Sequence, residues 1–184
     1  MGDDVDDDVD KVWVPEQGMG GGAGLLPPEN QFCFAIYSAA HAVMRAYRPL
    51  LDPLGLTYPQ YLVMLALWAD GDSTVGGLAD RLMLDSSTLT PLLKRLEALG
   101  LVDRRRNPAN ERQLVVSLTQ PGRALQEKAR AIPEAILCAS GRDMADLHRL
   151  AGEMAKIRDS FAATRQKDPT PEHQDGADDM PGGR

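Results

Sequence analysis

The first of the two cysteines in this 184-residue chain opens an apolar stretch with helical spacing. The stretch "ENQFCFAIYSAAHAVMRAYRPLL" predicts a helix over about 31–48, with Asn30 as its N-cap. The unpaired N–H groups and the positive dipole end of a helix start favour the thiolate of Cys33 over its thiol. A thiolate is the form that attacks a peroxide. Cys33 is therefore a candidate redox centre, although a free cysteine is also commonly a small buried hydrophobic residue.

Two tyrosines share the Cys33 side of this predicted helix. Tyr37 is one turn away and can contact the thiol, whereas Tyr47 lies about 21 Å further along, at about 1.5 Å per residue. Tyr47 therefore cannot reach Cys33 of its own chain, and any thiol that it serves belongs to another copy. Two antiparallel copies of the helix would bring each Tyr47 toward the opposite Cys33. Plain core packing is the alternative role for both tyrosines.

The segment after this helix predicts a winged helix-turn-helix. Two helices joined by a turn are expected over about 75–100. A basic two-stranded hairpin, the wing, is expected over about 101–118. The fold class is thus mainly α with a small β-hairpin wing, dimerised through N- and C-terminal helices at about 30–50 and 120–165. Pro49 is expected to end the first helix, and Pro133 to kink a long helix that begins near Gln120.

The last predicted helix carries Leu147, Leu150, Met154, Ile157 and Phe161 at alternating spacings of three and four. That narrow apolar seam is typical of a helix that packs on a partner helix. A symmetric dimer on an inverted repeat is also the usual arrangement for a single helix-turn-helix, which alone contacts little DNA.

Both ends of the chain differ in composition from its centre. Residues 1–28 and 166–184 are rich in Asp, Gly and Pro and are expected to be disordered, which leaves one ordered domain at 29–165. The net charge of the chain is −7, but residues 1–30 contain eight acids and one lysine, whereas 86–113 has a net charge of +3. The basic segment in an acidic protein suggests a polyanionic partner.

The polar side of the second helix of the motif and the wing supply the candidate DNA contacts. Small hydroxyls near a helix N-terminus can approach phosphates and base edges, and wing arginines can enter a narrow minor groove. The predicted DNA-binding residues are Ser86, Ser87, Thr88, Thr90, Lys94 and Arg95 of the helix and Arg104, Arg105, Arg106 and Arg112 of the wing.

Composition excludes several other classes of protein. There is no apolar run long enough for a membrane span and no apolar segment typical of a signal peptide, so a cytoplasmic protein is expected. Two cysteines are too few for a disulfide-rich secreted scaffold. The cysteines and the three histidines lie at no metal-ligand spacing, and neither a metal nor another cofactor is predicted.

Four blocks of the sequence resemble one known family. They are "ENQFCFAIY", "LGLTYPQYLVMLALW", "LDSSTLTPLLKRLEALGLVDRRR" and "NERQLVVSLTQPGRAL", which together span most of 29–165. They are similar to the MarR family and, more narrowly, to its organic hydroperoxide-sensing repressors of the OhrR type. One position departs from that pattern, because the wing of the family usually reads Asp-Glu-Arg and this chain has Asn110 before Glu111 and Arg112.

The resemblance implies a homodimeric transcriptional repressor that binds a double-stranded DNA operator with an inverted repeat. It implies that Cys33 is the sensor of an organic hydroperoxide inducer and that Tyr47 and Tyr58 hydrogen-bond to its thiolate. Tyr37 is a further candidate for such a bond. The resemblance also implies that Cys138 is a resolving cysteine, which forms a disulfide with Cys33 of the other subunit and so releases DNA.

Two other functions compete with this hypothesis. A regulator of the same family could release DNA on binding a small aromatic ligand, with Cys33 incidental. Alternatively, a thiol peroxidase could use Cys33 and Cys138 in turnover, although the chain has no Cys-x-x-Cys motif and peroxidase activity leaves the basic wing unexplained. Cys138 could also simply be part of the apolar end of its helix.

Overall fold

A computed structural model describes residues 27–107 and 110–167 of the chain, without the side chains of 111, 112 and 164–167. The acidic start, most of the C-terminal tail and the wing tip at 108–109 lie outside the described residues. The chain divides into two compact units, one up to Ala139 and one from Ser140 onward. Within the described ranges, no helix combines the length and the apolar character needed to cross a membrane.

Helix α1 spans Phe32–Leu51. Its N-cap is Gln31 rather than the predicted Asn30, because Pro28–Asn30 forms a short 3-10 helix just before it. The helix also continues past Pro49, where the sequence predicted its end. A proline in the last turn removes one backbone hydrogen bond, and the burial of Leu51, 1% exposed, offsets that loss.

Helix α2 spans Tyr58–Asp70, and the apolar stretch "PQYLVMLALWAD" predicts a helix over 59–70, to within one residue. Its N-cap is Thr57, whose backbone N–H donates to Oε1 of Gln60 at 2.8 Å. The helix ends at Gly71, which adopts a positive φ of 81° that a side chain would disfavour. Helix α2 supplies a large part of the core.

Helices α3 and α4 form the predicted helix-turn-helix at Val75–Leu82 and Ser86–Ala98. Thr74 caps α3 by accepting the Gly77 N–H at 3.0 Å, and Gly100, with φ of 69°, follows the end of α4. The leucines of α4 point into the core, since Leu89, Leu93 and Leu96 are fully buried. The spacing of Leu89, Leu92, Leu93, Leu96 and Leu99 in the sequence predicts a one-sided helix. That is confirmed for the three buried leucines, whereas Leu92 is partly buried and Leu99 is 51% exposed.

The predicted wing is present as strands β2, Val102–Asn107, and β3, Asn110–Leu118. The sequence missed a third strand, β1 at Ser73–Thr74, which pairs antiparallel with β3 to give the order β1-β3-β2. Two residues are too few for a periodicity signal. This short strand fixes the start of α3 to the base of the wing.

The predicted long helix after the wing is instead two helices, so the expectation of a kinked single helix was wrong. Helix α5 spans Gln120–Ala129 and α6 spans Ile132–Ser140. Pro133 has no N–H to donate to the carbonyl of Ala129, and as the second residue of α6 it favours a new helix start. The chain therefore breaks where the sequence predicted only a bend.

A tight contact joins α5 to the other elements of the first unit. A Cβ on Gly122 would come within 2.0 Å of the backbone oxygen of Leu101, so only glycine fits here. Nε1 of Trp68 donates to the Gly122 carbonyl at 2.9 Å. Helix α2, the start of the wing and the start of α5 therefore meet at Gly122.

The second unit contains helix α7, Met144–Lys167. Its first turn is capped by Asp143, whose Oδ1 accepts the N–H of Asp146 at 2.8 Å. The apolar seam predicted from the sequence lies on this helix. Met154 and Phe161 are exposed within the chain, and Ile157 is partly buried.

Candidate DNA interface and thiol site

The start of α4 presents a polar, exposed surface. Ser86, Ser87 and Thr88 are exposed, as are Lys94 and Arg95 further along the helix. The first N–H groups of a helix have no partner within it, and the N-terminal end of its dipole attracts anions. Hydroxyls, free N–H groups and two cations on one helix form a surface suited to a phosphate backbone and to base edges.

Thr90 differs from the other predicted contacts of α4. Its side chain is partly buried, and its Oγ1 donates to the carbonyl of Ser86 at 2.7 Å. It lines a cleft of about 300 Å³ beneath the wing, together with Leu93 and Arg104. The structure therefore places Thr90 on the wing side of α4, away from the exposed hydroxyls.

The wing arginines also divide into two kinds. Arg105 and Arg106 are exposed, whereas Nε of Arg104 donates to Oε2 of Glu97 on α4 at 2.9 Å. The hydrogen bond from Arg104 is the main cause that lowers the pKa of Glu97 below its usual range. The side chain of Arg112 lies outside the described residues, so its predicted contact stays a prediction.

The thiol site begins at Cys33, the second residue of α1. Its side chain is exposed, so within the chain it is not a core cysteine. Tyr37, one turn on, is also exposed and lies beside the ring of His41, with ring centroids 4.3 Å apart. Cys33 therefore lies in the first turn of α1, one position earlier in the helix than the sequence predicted.

The other two predicted tyrosines meet at the far end of α1. The rings of Tyr47 and Tyr58 are 4.7 Å apart, and Tyr61 joins them at 5.9 Å from Tyr47. Burial raises the pKa of Tyr47 and Tyr58, and proximity to Tyr58 raises that of Tyr47 further. Both phenols therefore stay protonated near neutral pH and can each donate one hydrogen bond.

The structure brings Tyr47 and Tyr58 together but leaves them distant from Cys33 of the same chain. Cys33 and Tyr47 are separated by fourteen residues of continuous helix, which is about 21 Å along its axis. Cys138 lies exposed on α6 as a second free thiol. The single chain thus contains all parts of the predicted thiol site, placed at separate positions.

Sequence reasoning missed two contributors to these sites. They are Glu97, which pairs with Arg104, and Tyr61, whose ring lies beside that of Tyr47. The alternation of strand β2 could have revealed the first, because Arg104 lies on the same strand face as the buried Val102 and therefore points inward. A tyrosine in an apolar helix gives no comparable signal.

No group of three or more His, Cys, Asp or Glu side chains capable of holding a metal ion occurs among the described residues.

Comparison with known proteins places this arrangement in a family. A family model described as transcriptional regulator SarA/Rot matches residues 45–129. The organic hydroperoxide resistance transcriptional regulator of Bacillus subtilis is 47% identical over 72% of this chain and 90% of its own length. The HTH-type transcriptional regulator TtmR of Methylorubrum extorquens is 47% identical over 73% of this chain and 69% of its own length.

A solved structure with the same fold includes bound DNA. Reduced AbfR bound to DNA is 36% identical, with a TM-score of 0.61, and the match covers 72% of this chain and 92% of that chain. A structure of disulfide-formed AbfR is 34% identical, with a TM-score of 0.51, over 75% of this chain and 92% of that chain.

These relatives are transcriptional regulators and not enzymes, which removes the thiol peroxidase from consideration. The winged helix-turn-helix, the basic wing and the identity to the Bacillus regulator agree with one another. This chain is therefore a DNA-binding transcriptional regulator that belongs to the MarR family and is similar to its organic hydroperoxide resistance regulators.

Proposed function

We propose that this protein is a homodimeric, thiol-controlled repressor that releases its operator when an organic hydroperoxide oxidises Cys33. The observation that carries the proposal is that the exposed thiol lies at the start of α1, whereas the partly buried phenol pair, Tyr47 of α1 and Tyr58 of α2, lies at the other end of that helix. One chain cannot use them together, whereas two antiparallel chains can. The similarity to a hydroperoxide resistance regulator supports the same assignment.

The surface of α1 supports the dimer. Leu51 is its single fully buried residue, and Phe32, Phe34, Val43 and Met44 are exposed large apolar side chains. Large apolar side chains that no other described part of the chain covers are typical of an interface. A second antiparallel copy of α1 covers those beside Cys33 and brings this thiol near Tyr47 and Tyr58 of the other subunit.

Oxidation of Cys33 and disulfide formation then proceed in two steps. The Cys33 thiolate attacks one peroxide oxygen, the O–O bond breaks, and the organic part leaves as an alcohol after taking a proton, which gives a sulfenic acid. The neutral phenols of Tyr47 and Tyr58 donate hydrogen bonds that hold the thiolate. The thiol of Cys138 from the other subunit next attacks the sulfenic sulfur, the S–O bond breaks, and water leaves as the disulfide forms.

Disulfide formation releases DNA because it moves the two copies of α4. Cys138 lies on α6, which a two-residue break separates from α5 and the wing. Drawing α6 toward α1 of the other subunit changes the spacing of the two copies of α4, whereas the duplex fixes the half-sites about 34–36 Å apart or at a multiple of that distance. The solved disulfide form of AbfR supports a disulfide-linked state in a related regulator.

The test uses the wild-type protein, Cys33→Ser and Cys138→Ser, each treated with one equivalent of cumene hydroperoxide. Electrophoresis without reductant and binding to a duplex selected by the wild-type protein are measured together. A covalent dimer and DNA release in the wild type alone are the expected results. If Cys33→Ser still releases DNA on oxidation, the thiol switch is wrong and a small aromatic ligand becomes the candidate inducer.

A further inference from the structure

The two wing arginines next to each other in sequence have different surroundings. Arg104 donates to Oε2 of Glu97 through Nε at 2.9 Å and through a terminal nitrogen at 2.5 Å, and its side chain is 18% exposed. Arg105 contacts Asp103 at 3.2 Å, but its side chain is 78% exposed. Arg105 is available to a phosphate, whereas Arg104 is held against α4.

The wing has little packing beneath it at this point. The cleft of about 300 Å³ separates β2 and β3 from α3 and α4, with Val75, Leu93 and Gln113 in its lining. A well-packed interface would orient the wing by itself. Here the pair between Glu97 and Arg104 bridges α4 and β2 beside an open space.

Arg104 lies at a position along β2 from which its bridge to Glu97 can control the orientation of the outer part of the wing. Arg104 pairs with Val116 in the ladder, and β1 pairs with β3 at residues 115 and 116. Beyond that level the wing is a two-stranded ribbon, which has little stability of its own. Asn107, where β2 ends, lies about 10 Å past Arg104, at about 3.3 Å per residue, so a small rotation at Arg104 moves the outer part of the wing by a larger distance.

The opposite end of the wing is fixed by other bonds. Oγ1 of Thr119 donates to the Gly100 carbonyl at 2.6 Å, and the Thr119 N–H donates to the Leu101 carbonyl at 3.1 Å. These bonds hold the base of the hairpin, and β1 holds strand β3 at residues 115 and 116, but neither attaches strand β2 to α4. The bridge from Arg104 to Glu97 supplies that attachment.

We propose that Glu97 is a positioning residue for DNA binding, which holds the wing through Arg104 at the angle that lets the wing and α4 engage one duplex. The inference rests on the proposed use of the wing in operator binding. Arg104 is then a bridge within the protein and not a phosphate contact. The lowered pKa of Glu97 keeps its carboxylate charged throughout the neutral range, so the bridge persists there.

An argument from charge alone predicts the opposite effect of removing Glu97 on DNA affinity, so the direction of the change distinguishes the two. Removing an acidic group beside a DNA interface reduces repulsion of phosphate and strengthens binding. Glu97→Gln is instead expected to weaken binding of the reduced full-length dimer to the selected duplex by about tenfold, the order of one lost contact. Asp103→Asn is the matched control, because it also removes a carboxylate paired with a wing arginine, and it is expected to bind equally or more tightly.

A coupling measurement separates positioning from a general loss of stability. Arg105→Ala is made in the wild type and in Glu97→Gln. If the wing is displaced in Glu97→Gln, Arg105 no longer reaches the duplex, and its removal is expected to cost several-fold less there than in the wild type. Glu97→Asp, which keeps the charge but shortens the side chain, is expected to weaken binding as well.

Equal or tighter binding by Glu97→Gln, or an unchanged cost of Arg105→Ala in that background, overturns the proposal. Circular dichroism and urea unfolding of each variant check that the fold is kept. Should Glu97→Gln not fold, the same two measurements on Glu97→Asp decide the question. The redox function is tested separately, because peroxide-dependent release depends on Cys33 and not on Glu97.

Discussion

Two parts of this molecule are built in opposite ways. The DNA-binding lobe, residues 58–129, buries leucines, valines and a tyrosine from several elements and is connected by specific hydrogen bonds. Helix α1, by contrast, buries only Leu51 fully and exposes most of its apolar side chains. The lobe is complete in one chain, whereas the proposed thiol site requires two.

In the proposed dimer, the DNA-binding surface is formed within one chain, whereas the sensing site is formed between two chains. Elements that must present a fixed shape to a duplex take their rigidity from a core in the same chain. A thiol site shared between chains instead couples chemistry directly to the arrangement of subunits. Oxidation can therefore alter the spacing of the two lobes without unfolding either of them.

The largest expected effect comes from comparing a substitution in the DNA-binding lobe with one in helix α1. Leu96→Ala removes a fully buried side chain of the lobe and is expected to lower the free energy of unfolding by about 2–5 kcal/mol. Phe34→Ala is expected to weaken dimer association instead, with little effect on the folding of each chain. Urea unfolding at several protein concentrations, with sedimentation velocity, distinguishes the two. A concentration-dependent loss in Leu96→Ala, or unchanged association in Phe34→Ala, would contradict the contrast.

A smaller change in the free energy of unfolding is expected from disrupting the contact that joins α5 to the wing. Gly122→Ala places a methyl group against the Leu101 backbone and is expected to cost about 1–3 kcal/mol. Gly152→Ala on α7 is the matched control, since its methyl meets no atom within 4 Å, and it is expected to stabilise by about 0.5–1 kcal/mol. Thermal unfolding of both variants measures the difference. Equal melting temperatures would show that the α5 contact is not tight.

The smallest effect concerns the phenols at the end of α1. Because burial raises the pKa of Tyr47 in the folded state, the protonated ring stabilises the fold fully below about pH 10. That contribution is lost as the pH rises through the raised pKa. Tyr47→Phe is expected to flatten the decline of unfolding free energy between about pH 9 and 11. An unchanged decline in Tyr47→Phe would mean that other groups set the alkaline limit.

Local patterns in the sequence predicted the helices that have strong punctuation. The apolar stretch at 59–70 predicted α2, which Thr57 and Gly71 bound, and the leucine spacing of α4 predicted its buried face. The predictions were wrong at Pro49, where the sequence predicts a helix end, and at Pro133, where it predicts a kink in one long helix. The buried Leu51 carries one helix past its proline, and the position of the other in a new first turn starts a helix.

The sequence by itself determined the fold class, the basic wing and the separation of Cys33 from Tyr47, because periodicity, charge and helix rise are local properties. The tertiary structure was needed to show that Tyr58 packs against Tyr47. It was also needed to show that Arg104 bridges to Glu97, whereas Arg105 stays exposed. These contacts join residues on different elements. The alternation of β2 indicates that Arg104 points inward, but which residue it meets depends on how the helices and strands pack.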